Sequence, residues 1–166
     1  MLYELYCDIV PQAFRLSLQY LKTVMTRHRL NVEYEYEFFL AGISCHERPY
    51  RLCWAINNAL EIEMSAIALH AIALKKNNAV AEFSVFNFEN RENETSFSLI
   101  ANKSPGDELK ILILEQSQLD YFFIVKGAYP EADLQAMLQK IKLIPFVIMA
   151  TPINPKTLKS KQNLLF

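Results

Sequence analysis

Only three glycines occur in the 166-residue chain, Gly42, Gly106 and Gly127, and they stand far apart. A P-loop or a dinucleotide fingerprint needs clustered glycines so that backbone N–H groups can approach phosphate, so neither motif is present. Cysteine is also scarce: Cys7, Cys45 and Cys53 are odd in number and lack the regular spacing of a disulfide framework. That usage points to a reducing cytosol and away from a disulfide scaffold. Charge of one sign is missing as well, with 17 Lys and Arg against 18 Asp and Glu, a net charge of −1. No global basic field steers the chain onto nucleic acid. Long apolar runs are absent: Glu4, Asp8, Arg15 and Lys22 interrupt the first 24 residues, whereas a membrane span needs about 20 continuous apolar residues. These residues also lack the basic start of a signal peptide, so a soluble, cytoplasmic protein is expected.

What is present is apolar side chain, 52% of the residues by type. A chain of this length removes roughly 68–70% of its unfolded surface from water on folding, so a sizeable core and one domain with a small appendage are expected. Phe14, Leu18, Leu21 and Met25 follow a helical row and predict a helix over residues 12–28. It reads as an extra helix docked on the core, as sequence upstream of a natural start at Met25, or as an amphipathic helix for a partner or a membrane surface. Val32, Tyr34, Tyr36 and Phe38 alternate with Glu33, Glu35 and Glu37, the pattern of a half-buried strand running on toward Gly42.

Pro49 suits a first helical turn, and Leu52, Ile56 and Leu60 then recur every four residues, joined by Cys53, Ala59 and the flanking Trp54. A core helix over about 48–61 is expected. Strands follow over 67–74, 80–88 and 95–101, with turns at 75–78 and 89–93, giving a meander. Residues 104–107 are a loop, 109–114 a short apolar segment, and 120–126 an aromatic strand closed by Gly127. Pro130 opens a second helix with Leu134, Met137, Leu138 and Ile141 on one face, ended by Pro145, and 146–150 is a last strand. Together these elements predict an α+β fold: a mainly antiparallel or mixed sheet, two core helices on one face, and an extra N-terminal helix. Three parts are expected: a helical extension at 1–30, the α+β domain at 31–155, and a basic and apolar tail at 156–166.

The segment Ile113, Leu114, Glu115, then Leu119, Asp120 and Tyr121 resembles the signature of the IPExxxVDY family of small bacterial proteins of uncharacterised function. Leu114 stands where that signature has Pro, and Leu119 where it has Val. Supporting likeness lies in Tyr50 to Trp54, Asn102 to Ser104, Phe122 to Gly127 and the ending Leu158 to Phe166. The resemblance spans about residues 30–166 and leaves out the first 24. It implies no catalytic residue.

Candidate chemistry is thin. Cys45, His46 and Glu47 lie together and Cys53 sits in the first turns of a helix, but neighbours in sequence rarely point the same way, so buried thiols and exposed His are expected. Glu115 and Asp120 could serve as acid and base, yet no His, Arg or metal motif stands beside them in sequence, and a turn cap and strand start explain Asp120. Ser44, Ser104 and Ser117 occupy no nucleophile elbow. Phe83, Phe86, Phe88, Phe97 and Tyr121 could stack bases, but residues 82–120 hold eight acids against three bases, which repels phosphate. Those rings are read as core. After Asp133 no acid occurs, and Lys140, Lys142, Lys156, Lys159 and Lys161 form the one basic patch.

No catalytic residue, cofactor or metal is therefore expected. The expected partner is another protein, bound through the acidic meander or through a tail comprising Lys156, Lys159, Lys161, Leu164, Leu165 and Phe166. The alternative is an RNA-associated accessory factor using the terminal lysines, with an enzyme third. The apolar end of that tail must dock on its own domain or enter a partner.

Overall fold

The computed structural model describes residues 38–73, 80–106 and 109–166. The expected N-terminal helix, the first half of the expected first strand, the turn at 75–78 and Cys7 lie outside them. The chain divides into the units Met1–Glu35 and Tyr36–Phe166, and everything below concerns the second.

Among the described residues, eight strands and two α-helices follow in order: β1 (Phe38–Ser44), α1 (Pro49–Leu60), β2 (Ser65–Ala66), β3 (His70–Ala73), β4 (Val80–Phe83), β5 (Val85–Asn90), β6 (Thr95–Ala101), β7 (Tyr121–Lys126), α2 (Glu131–Lys142) and β8 (Met149–Ile153). Six strands make one sheet in the order β2-β5-β6-β7-β1-β8, and β3 with β4 forms a separate ribbon. All pairings are antiparallel. This is the α+β fold expected from the sequence.

The sheet is buried on both faces. Along β6 and β7, Phe97, Leu99, Phe123 and Val125 face one core, into which α1 sends Leu52 and Ile56 and α2 sends Leu138 and Ile141. The alternate residues Ile100, Phe122 and Ile124 face a second core. That core is closed by Phe83 of the ribbon, by Leu112, Ile113 and Leu119, and by Leu158 and Leu164 of the C-terminal segment. Alternation puts successive side chains on opposite faces, so a strand covered twice reads as an unbroken apolar run, as β7 does.

The helices form for the reasons legible in their residues. Pro49 occupies the first turn of α1, where its missing N–H costs nothing. In α2, Glu131 and Asp133 stand at the start and Lys140 and Lys142 at the end, matching the helix dipole.

Three boundaries differ from expectation. The strand expected over 80–88 is two strands, because the chain changes sheet at Ser84, whose carbonyl accepts from the Ala101 N–H. Of the strand expected over 67–74, only His70–Ala73 is strand, as β3 in the ribbon, while β2 lies just ahead of the expected range and pairs on the main sheet. The last strand runs over 149–153 instead of 146–150, since the chain first turns through a Val147 N–H bond to the Ile144 carbonyl. Pro152 does not interrupt it: β8 is an edge strand, and an edge tolerates a residue that cannot donate outward. With only two residues in β2 at the other edge, neither border invites a further strand.

Candidate functional site

Asp120, immediately before β7, joins the ends of three neighbouring strands. Its N–H donates to the Ile43 carbonyl (2.9 Å), and its own carbonyl accepts from the Asn102 N–H (2.8 Å). One carboxylate oxygen accepts from the Cys45 N–H (2.8 Å) and the Ser44 hydroxyl (3.3 Å), and the other accepts from Lys103 Nζ (2.5 Å). Both oxygens are thereby occupied, which fixes the orientation of the carboxylate. Next to it, the Tyr121 hydroxyl donates to the Glu47 carbonyl and pins the link into α1.

The preceding loop is folded around a single side chain. Asn102, fully buried, donates from its amide to the carbonyls of Gln116 and Leu119 (2.9 Å each) and accepts from the Ile113 N–H (2.8 Å). Of the signature positions, Ile113, Leu119, Asp120 and Tyr121 are buried, while Leu114 and Glu115 are exposed. Glu115 does not pair with Asp120: its Oε1 accepts from the Ser160 N–H (2.8 Å). Burial pushes the Glu115 carboxyl up, but hydrogen bonds from its own N–H, Ser160 and Lys159 outweigh this and leave it below the usual range.

Cys45, His46, Glu47, Lys103, Asp120 and Tyr121 line a cavity of about 360 Å³. His46 thus lines the same cavity as Asp120, which the sequence reading did not foresee. Both acids there already hold cations, Asp120 with Lys103 and Glu47 with Arg51 (2.9 Å). Burial raises the Cys45 thiol, reinforced by the Glu47 and Asp120 charges, and burial pushes Cys53 to about 11. Both thiols are protonated at neutral pH, whereas a nucleophile or metal ligand needs thiolate. Tyr121 is raised as well, by burial first and then by the nearby negative charges. Among the described residues no three His, Cys, Asp or Glu side chains converge as metal ligands. The cluster is arranged to hold segments together.

Of the two fates open to the C-terminal segment, docking on its own domain is the one found. Leu158 and Leu164 are buried in the second core, and Asn163 bridges the Leu112 carbonyl (2.9 Å) and the His70 ring, which donates to its backbone carbonyl (3.0 Å). Leu164 is therefore no contact residue for a partner, a correction to the sequence reading. Phe166 is 40% exposed, its ring 5.3 Å from that of His70 and 5.7 Å from Lys126 Nζ. Lys156 and Lys159 are exposed, Lys161 and Leu165 half-buried. The aromatic residues considered for base stacking are internal: Phe83, Phe97 and Tyr121 are buried, Phe86 and Phe88 half-buried, and Phe97 stacks with Phe88 and Phe123.

The most exposed aromatics among the described residues lie elsewhere. Tyr50 and Trp54, on α1, are 62% and 67% exposed, with Arg51 between them. Comparison of the chain with protein-family models, curated proteins and solved structures returns no match. Trp54 was expected to flank the core, and that expectation is corrected. The signal against it was available: at 100° per residue, Trp54 stands about 200° around the helix from Leu52, on the face opposite the buried stripe. No helix among the described residues is long and apolar enough to cross a membrane.

Proposed function

We propose that this chain is a cytoplasmic protein-interaction domain of the adaptor kind, with the outer face of α1 as its contact surface. The observation that carries this reading is the exposure of Tyr50 and Trp54 one helical turn apart. Trp, Tyr and Arg dominate binding energy at interfaces, and Tyr50, Arg51 and Trp54 fall within one arc of about 100°. The reading replaces the tail as the preferred surface. We also propose membership of the bacterial IPExxxVDY family. Its support is that the departures are physically mild: Leu114 opens a 3-10 turn, where proline is readily accommodated, and Leu119 keeps an apolar side chain in the core.

The test is a quantitative pull-down from native extract with the tagged full chain, comparing wild type with Trp54→Ala after nuclease treatment. The expected outcome is a defined protein held by wild type and reduced about tenfold or more by the variant, as for an interface anchor, with matching thermal melts. Recovery that ignores Trp54, or that vanishes with nuclease, overturns the proposal, and the latter result favours the RNA reading.

A further inference from the structure

Resting on that reading, we infer that the groove beside Trp54 receives an arginine- or lysine-bearing segment of a partner protein, its cation lying against the indole between Glu61 and Glu63. The groove encloses about 690 Å³ and is lined by Trp54, Asn57, Asn58, Glu61, Glu63 and Ser65 among others, with no Lys or Arg on its wall. Among the described residues neither Glu61 nor Glu63 has an ion-pair partner, in contrast to Asp120 and Glu47. Two uncompensated carboxylates therefore face the space that the indole borders.

A second source of negative potential has the same position. The groove lies at the C-terminal end of α1, where unpaired carbonyls carry partial negative charge, and the last turn has no basic residue to offset it. The indole face adds a third, since its quadrupole attracts cations more strongly than that of Tyr or Phe. An anionic or neutral segment gains from none of these.

The wall is also fixed before anything binds. Asn57 donates to the Met64 carbonyl (2.9 Å) and accepts from the Met64 N–H (3.0 Å), and the Ile62 N–H donates to the Asn57 carbonyl (3.1 Å). Glu61 takes the left-handed conformation that ends the helix (φ 57°). The backbone bearing both carboxylates is thus held in place relative to Trp54, which lowers the ordering cost of binding.

Trp54 is the chain's one tryptophan, so its fluorescence reports directly on this groove. Short blocked peptides with two arginines, two lysines or two glutamates between glycines are titrated into the full chain at low and high salt. The arginine peptide is expected to give a saturable change that the glutamate peptide does not give and that salt weakens. Glu61→Gln with Glu63→Gln is expected to raise its Kd about fivefold to tenfold, the size of two exposed ion pairs, with the melt unchanged. An equal response to the glutamate peptide, no saturable response to the arginine peptide, or unchanged affinity in the double variant overturns the inference. Each of these leaves the Trp54-dependent pull-down to decide the interaction reading separately.

Discussion

Leu119 can lie across β1 only because residue 42 has no side chain. A Cβ at Gly42 would stand 2.2 Å from Leu119 Cδ1 and 2.7 Å from Ile153 Cδ1, and both neighbours are held inside packed structure. Gly42→Ala is expected to destabilise by about 1–3 kcal/mol, the usual cost of overpacking. In a Leu119→Val background the penalty should shrink, and a double-mutant cycle by chemical denaturation measures the difference; equal penalties in both backgrounds would place the strain elsewhere. At this scale the sequence identified the participants and missed their meetings. Asp120 was legible as a turn cap and strand start, but nothing local to it announces Lys103, Cys45 or Ser44, because those partners are supplied by pairing between distant strands.

At the scale of elements, α1 was legible in Leu52, Ile56 and Leu60, and α2 in its charges, since a helix states its periodicity within a few turns. Strands state only that they are half-buried or fully buried. The segment over 80–88 is mostly apolar, with Glu82, Ser84 and Asn87 spaced along it, and nothing local tells that β4 and β5 join different sheets. The C-terminal segment could be read only as an alternative, and its burial now fixes what truncation does. Ending the chain after Lys159 removes Leu164 from the second core along with the Ser160 and Asn163 hydrogen bonds. The expected loss is at least the roughly 2–5 kcal/mol of a buried leucine, seen as a lower thermal midpoint. Leu164→Ala should reproduce most of it, while Lys156→Glu should leave the midpoint nearly unchanged, since Lys156 is exposed. A truncated chain that melts like wild type would mean that the segment contributes little to the second core.

For the whole molecule, Tyr36–Phe166 forms one compact unit, which is expected to unfold cooperatively by itself. Removing residues 1–24 is expected to leave a single cooperative transition with a midpoint close to that of the full chain, measured by circular dichroism. A broad or non-cooperative melt would show that the removed residues belong to the core. The sheet order carries one more consequence. β1 is flanked by β7 and β8, which lie far downstream in the sequence. At a synthesis rate of roughly 5–20 residues per second, β1 waits about 5 to 20 seconds between its own completion and the arrival of its last neighbour. For most of that interval an apolar strand stands without either partner, so it is the growing chain on the ribosome, more than the finished protein, that needs shielding from aggregation.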